Sequence, residues 1–303
     1  MSPSTALVTG TSGYLGARIA EDLAREGFRV LERRSRHDVA DIGGFEPPAS
    51  VGVLVHSAFT VDFSPASSHD GESESVRNTR RVTDWAAARG VPHLVFLSAA
   101  AVLGVSATPR ARNEDDVGDT DPTFEAYRAT RYVRDKLACE RLLAGYPGAV
   151  TTLYLTTVYG AGLTGPAAAA LARLSGRGPV ALVPPGGTSF LDLRDLLEGL
   201  TLVIARRTAG AFVLSSGNVT YRQLARAAAT VSGRRRRVLV LPRRARPLIE
   251  RLAPLRPGLA PSLAILSSSF GFKYYSCERA RRTLGFQARH ALPAALESAR
   301  SPR

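Results

Sequence analysis

The sequence predicts an α/β protein, a doubly wound parallel sheet followed by a smaller C-terminal lobe. Three observations carry that expectation. Short apolar runs alternate with helix-like stretches through the first half, the pattern of βαβ units in a parallel sheet. A glycine-spaced turn, TGTSGYLG, separates the first apolar run from the first helix-like stretch. Beyond Gly160 the chain turns rich in Gly, Pro and Ala, and the regular alternation lapses.

Taken in order, ALVTG and FRVLE read as the first two strands, with YLGARIAEDLAREG as the helix between them. VGVLVHSA and HLVFLSAAAV are two more strands, joined by the helix SVRNTRRVTDWAAARG. Gly27 and Gly90 fall where helix C-caps belong. A helix is expected from about residue 123 to 144, then a strand over AVTTLYLTTVYG. The expected division is 1–160 for the sheet domain and 161–303 mostly for the second lobe, with part of 187–216 returning to the first. The terminal ESARSPR is read as frayed.

At 303 residues and 45% hydrophobic content the chain can bury a large core, and disorder is excluded as a class. Cys139 and Cys277 are too few for a disulfide framework and too isolated for zinc, which fits a reducing cytoplasm. His37, His56, His69, His93 and His290 lack metal-ligand spacing, so no metal is expected. No signal-like N-terminus or apolar run of about 18 residues occurs, and a soluble, cytoplasmic protein without membrane contact is expected. The formal charge is +14, part of it concentrated in GRRRRVLVLPRRARP, Gly233 to Pro247. That segment lacks interleaved aromatics or a recognised motif, so it reads as a solvated face or a dock for an anionic ligand, and no nucleic-acid partner is expected.

Gly10, Gly13 and Gly16 stand at three-residue spacing between strand and helix. Such a turn lets backbone amides approach a pyrophosphate at the positive end of the helix dipole, and the strand-turn-helix context makes this a Rossmann-type dinucleotide site. The cofactor's ribose belongs at the end of the second strand, where the chain reads LERRSRHD. Glu32 falls inside the strand, whereas Arg33, Arg34 and Arg36 crowd the 2'-position, so NADP is favoured over NAD.

Only two lysines occur, Lys136 and Lys273, so 38 of the 40 basic residues are arginine. A lysine kept in such a chain suits a site that needs a compact ammonium on a flexible stem. Tyr132 and Lys136 are four apart on one helical face. A nearby ammonium stabilises phenolate and makes the phenol a proton donor or acceptor for a carbonyl or alcohol. Taken alone, the pair also fits an ordinary amphipathic helix with a half-buried tyrosine.

The chain resembles the extended short-chain dehydrogenase/reductase family, the NAD(P)-dependent epimerase/dehydratase group. The resemblance rests on TGTSGYLG, VLVHSA, VFLSAAAVLG, YVRDKLACERLL, TTVYGAG, SFLDLRDLLEGL and CERARRTLGF in the family's order. It implies a Rossmann domain binding NAD(P) and a C-terminal substrate-binding lobe. Gly10, Thr11, Ser12, Gly13, Tyr14, Leu15 and Gly16 would line the pyrophosphate turn, and Asp38 and Val39 would flank adenine. Ser57, Ala58 and Phe59 would run beside the cofactor, with Ser98 on the next strand and Leu155, Thr156 and Val158 near the nicotinamide. Tyr132 would be the acid/base and Lys136 its modulator. The family often dimerises through the tyrosine helix and the one before it, so a homodimer is admitted by analogy.

Departures from the pattern bear on substrate. Ala99 stands where members carry a serine or threonine that hydrogen-bonds the reacting oxygen; losing one such donor costs on the order of 100- to 1000-fold in rate when nothing replaces it. Alternation along the strand aims Ser98 elsewhere, leaving Thr156 and Thr157 as candidates. Thr157 replaces a frequent asparagine and Thr188 a frequent basic residue, both used on a sugar nucleotide's diphosphate; Arg194 or the cluster from Arg234 to Arg237 would compensate. The leading expectation is therefore an NADPH-dependent ketoreductase acting on a small-molecule carbonyl. The alternatives are a nucleotide-sugar epimerase, dehydratase or 4-ketoreductase, and a cofactor-binding scaffold with impaired catalysis.

Overall fold

A computed structural model describes residues 4–67, 71–119, 121–176, 178–252 and 260–300; His69 and the last three residues of the tail lie outside them. β1 (Thr5–Thr9) is buried along its length and leads through the glycine turn into α1 (Tyr14–Arg25). β2 (Arg29–Arg33), α2 (Arg36–Ala40), β3 (Val53–His56), α3 (Glu74–Ala88) and β4 (His93–Ala99) follow. Next come α4 (Glu125–Arg128), α5 (Arg131–Leu143) and β5 (Ala149–Leu155). These strands run parallel in the order β2-β1-β3-β4-β5, completed by β9 (Gly210–Leu214) beside β5.

Helices cover both faces, so the strands read as continuous apolar runs. Ala6, Val8, Val53 and Val55 pack into one core with Ile19 and Leu23 of α1, while Leu7 and Leu54 point into a second core with Val82 and Trp85 of α3. The chain leaves β1 towards β2 and returns to β3 on its other side. That reversal opens the crevice at the carboxyl ends of β1 and β3, where ligands of such sheets bind.

The second lobe begins inside a single apolar run. AVTTLYLTTVYG, expected to be one strand, breaks at Thr156: β5 stays in the large sheet, and β6 (Thr157–Tyr159) pairs with β8 (Gly187–Asp192) in another. α6 (Gly165–Leu174) and β7 (Val180–Val183) lie between β6 and β8. After β8, α7 (Leu193–Arg206) packs on the first core and delivers β9 to the large sheet. β10 (Gly217–Thr220), α8 (Tyr221–Val231), β11 (Arg237–Val240), α9 (Arg246–Leu252), α10 (Ala260–Ser268), β12 (Phe272–Lys273), α11 (Glu278–Leu284) and α12 (Leu292–Arg300) complete the described chain. β8 sits between β10 and β12, and β11 pairs with β7.

Two other boundaries differ from expectation. The helix foreseen over 123–144 is interrupted at Ala129 and Thr130, because the Thr130 hydroxyl donates to Tyr127 O at 2.8 Å and Thr130 bridges Pro65. The run HLVFLSAAAV leaves the sheet after Ala99 in a 3-10 turn, Ala100–Leu103. Gly27 and Gly90 have φ of +86° and +61°, the left-handed geometry that ends α1 and α3. The ESAR part of the tail is helical in α12. Among the described residues no helix is long and apolar enough to cross a membrane.

Candidate active site

The crevice at β1 and β3 is built by close backbone approach. Gly10 takes φ +77°, and a Cβ there would lie 2.7 Å from Ala58 Cα. A Cβ on Gly16 would lie 2.3 Å from Gly10 O and 2.8 Å from Ser57 Oγ. Gly13 N donates to Gly10 O at 2.9 Å, and the start of α1 carries no side-chain cap. Ser12 is tied to Arg34 O through its N–H (3.1 Å) and its hydroxyl (2.7 Å). Ser57 Oγ donates to Thr9 O at 2.5 Å, locking the segment that carries Ala58 and Phe59 against the turn.

Thr11 Oγ1 and Thr156 Oγ1 are buried without a hydrogen-bond partner among the described residues. A buried hydroxyl left unpaired is costly. A tight glycine cradle, an uncapped helix N-terminus and orphaned hydroxyls at both ends fit the pyrophosphate and nicotinamide ends of a dinucleotide. Leu155 and Val158 are buried in the first core and Leu15 packs against it, so none of the three supplies a polar contact. Tyr14 is half-buried, and burial pushes its phenol up to about 12.

At the expected ribose position Arg33 and Asp38 are already engaged. The Arg33 guanidinium donates to Asp38 O at 3.0 and 2.5 Å and lies over the Phe45 ring. It ends α2 and is not free for a 2'-phosphate. Asp38, expected beside adenine, forms a capping box with Ser35 at the start of the same helix, and Val39 is fully buried in the second core. Arg34 presents its carbonyl to Ser12, and its side chain has no partner among the described residues.

Tyr132 and Lys136 lie on the same face of α5 and meet at Phe59. The Phe59 and Tyr132 rings pack edge-on at 5.8 Å, and the Lys136 Nζ sits 3.6 Å from the Phe59 ring centre. The ammonium donates to Leu97 O at 2.7 Å. Burial pushes the Tyr132 phenol up to about 12 and pulls Lys136 down to about 7, with Cys139 and Glu140 opposing the latter. The expected lowering of the phenol by Lys136 is thus absent here: the ammonium is spent on a carbonyl and a ring, and Tyr132 is a protonated acid at neutral pH. Its hydroxyl has no hydrogen-bond partner among the described residues.

Ser98, expected at the cofactor, donates instead to Glu140 Oε1 at 2.5 Å, and the Tyr154 hydroxyl donates to Glu140 Oε2 at 2.9 Å. Burial raises the Glu140 carboxyl despite both donors. Glu140 is four residues past Lys136 and eight past Tyr132, a repeat on the helix face that sequence inspection passes over. Ala99 ends β4, buried, with Leu155 as its register partner, so Thr156 with its free hydroxyl follows directly on the adjacent strand. Thr157 is half-buried in β6, opposite Phe190. Arg194 does not reach this cleft: it binds Asp192 at 2.8 Å through both Nε and Nη2 and lines a groove with Asp22, Arg25 and Glu26 on the outer side of α1 and α7. Among the described residues no group of three or more His, Cys, Asp or Glu is arranged to hold a metal.

A cradle of this kind beside a tyrosine and lysine on one helix defines a nicotinamide-cofactor-dependent oxidoreductase of the extended short-chain dehydrogenase/reductase type. The chain belongs to the NAD dependent epimerase/dehydratase family, whose model matches residues 6–214. The sequence matches no curated protein. Among solved structures it is similar to gox2253, at 19% identity over 97% of this chain and 96% of that one, with a TM-score of 0.73. It is also similar to UDP-glucose-4-epimerase from Stenotrophomonas maltophila with bound NAD and formylated UDP-arabinopyranose, at 18% identity, 98% and 96% coverage and a TM-score of 0.72. UDP-glucose 4-epimerase from Bifidobacterium longum in complex with NAD+ and UDP gives 16% identity, 98% and 97% coverage and a TM-score of 0.71. At these identities the likeness describes the fold.

Proposed function

We propose that the protein oxidises and re-reduces a nucleotide sugar with a retained NAD, as an epimerase or dehydratase acting in the cytoplasm. The observation that carries this reading is the likeness to UDP-sugar 4-epimerases over 97–98% of the chain, second lobe included. Two features support it. Arg33 is taken by Asp38 O, which weighs against the NADP expected from the arginine cluster and leaves Arg34 and the exposed Arg36, 3.7 Å from Glu74, as the remaining 2'-phosphate partners. Both cysteines are free thiols, in keeping with a reducing compartment.

A bound nicotinamide would accept and return a hydride. Tyr132 would act at the reacting oxygen: as phenolate it would take the substrate hydroxyl's proton while the hydride leaves, and as phenol it would return that proton on re-reduction. Lys136 anchors the helix to β4 through Leu97 O and presents positive charge beneath Phe59. Thr156 stands in for the donor missing at Ala99. The ketoreductase expected from the sequence becomes the second reading, and the one feature of the site that favours it is the protonated Tyr132 phenol, a ready proton donor to a carbonyl.

The test is to purify the protein without added nucleotide, denature it and identify released dinucleotide by mass spectrometry. Fresh enzyme is then incubated with UDP-glucose and with UDP-N-acetylglucosamine, following 4-epimers and keto products. Released NAD and either conversion without net reduction of nucleotide are expected. An empty protein that binds NADPH reversibly and reduces simple carbonyls would overturn the proposal.

A further inference from the structure

Both lysines of this arginine-rich chain border one row of aromatic rings. From Lys136 the row runs through Phe59 to Tyr132, then to Phe63 at 5.0 Å and on to Tyr127 at 6.0 Å. At its far end Lys273 Nζ lies 4.6 Å from the Tyr127 ring centre. Three separate segments supply the row: the chain after β3, the interrupted α4–α5 region, and β12 of the second lobe.

The two amines differ in what holds them. Lys136 has Leu97 O at 2.7 Å, whereas Lys273 Nζ has no hydrogen bond or ion pair among the described residues, only the ring face. Its backbone is fixed, because β12 pairs with β8 and the Ser189 hydroxyl donates to Lys273 O at 3.1 Å. In that register Lys273 stands opposite Thr188. Burial pulls the amine down to about 7. A half-buried ammonium without an anion is held at a cost that an incoming negative group would offset.

We propose that Lys273 is a substrate-binding residue that takes an anionic group, phosphate or carboxylate, of the molecule whose hydroxyl or carbonyl is presented to Tyr132. The proposal rests on the reading of Tyr132 as the reacting acid. It makes the substrate a bipolar molecule: a neutral reacting carbon at Tyr132, a segment lying along the half-buried Phe63, and a charged end at Lys273 in the second lobe. A lysine suits this position because its compact ammonium sits over a ring and still turns to an oxygen.

Two lysines make the test direct. In protein labelled with 13C-lysine and saturated with NAD, two side-chain signals are followed while inorganic pyrophosphate, and separately malonate, is added; loss of one signal in Lys273→Met assigns it. One anion is expected to move the Lys273 signal saturably and to raise its titration midpoint by about one pH unit, a tenfold preference for the ammonium form. Lys273→Met should bind that anion at least tenfold more weakly with NAD affinity unchanged, and Lys273→Arg, which keeps the charge but not the compact ammonium, should recover only part of the loss. A response to pyrophosphate alone assigns a phosphate; one to malonate alone assigns a carboxylate. If neither anion moves the signal, or Lys273→Met binds the anion as tightly as the native protein, the proposal is wrong. Because the signals are read on the native protein, the outcome stands even where a variant folds poorly. Failure of the Tyr132 reading shows separately, as turnover that survives Tyr132→Phe.

Discussion

The two ends of the cleft are specified in different ways. At the glycine turn, backbone atoms set the identity of the residue: a Cβ on Gly16 would meet Gly10 O at 2.3 Å and Gly10 C at 2.6 Å, and neither is a movable side chain. At the aromatic row, side chains from three distant segments set the chemistry, and the ring separations of 5.0 to 6.0 Å leave room for exchange among aromatics. A site fixed by backbone contact tolerates almost no substitution. One fixed by side chains can be retuned for another substrate while the fold stays the same.

The largest expected effect belongs to Tyr132→Phe. Removing the proton carrier should lower turnover by about 100- to 10,000-fold, with NAD still bound, as read by steady-state kinetics beside cofactor titration. Unaltered turnover would move the chemistry away from the aromatic row. Next comes Gly16→Ala, which should cost about 1–3 kcal/mol of stability in denaturant unfolding by overpacking the turn, and should weaken NAD binding as the backbone shifts.

His56 sharpens the comparison by adding a buried side chain to the backbone-defined end. Its ring is held by Thr9 Oγ1 at 2.7 Å and Thr79 Oγ1 at 3.0 Å, and burial, with Lys136 adding to it, takes its titration down to about 3. The unfolded chain protonates near 6.5, so it binds more protons than the native state between those values. Stability is therefore full above 6.5 and falls as pH drops towards 3, by about 1.4 kcal/mol at one unit below 6.5. Unfolding curves of native protein and His56→Gln should converge in pH dependence except for this slope, which the variant lacks. The smallest effect is expected at Gly43→Ala, where nothing lies within 4 Å of an added Cβ and φ is not in the left-handed region. It should stabilise the chain by about 0.4–1 kcal/mol through the unfolded state, and a loss would show that open space is not what distinguishes Gly43 from Gly16.

The same contrast explains what the sequence disclosed. The sheet domain was legible because alternating apolar runs and a glycine triplet report local, backbone-level requirements, and Tyr132 with Lys136 reports a helical period. Lys273 was visible only as a compositional oddity, because its meeting with Tyr127 depends on β12 docking beside β8, a pairing of residues far apart in the chain. Arg33 looked like a phosphate ligand, yet it folds back onto Asp38 O; side-chain direction at a strand end is decided by such tertiary competition. Ser98 likewise went to Glu140, whose burial the helix period alone does not disclose. The break at Thr156 was hidden because both halves of the run are equally apolar and equally suited to strand.

The handover from β5 to β6 also bears on how the chain can be divided. β9 comes from beyond residue 160, and it covers the outer edge of β5 through the register Thr151 with Gly210 to Leu155 with Leu214. A chain ended after Gly160 would keep the glycine turn, the tyrosine and the lysine, but would bare five residues of an apolar central strand to any other chain able to pair with it. The cofactor half is thus no detachable module: its last seam is sewn by thread that has first passed through the second lobe.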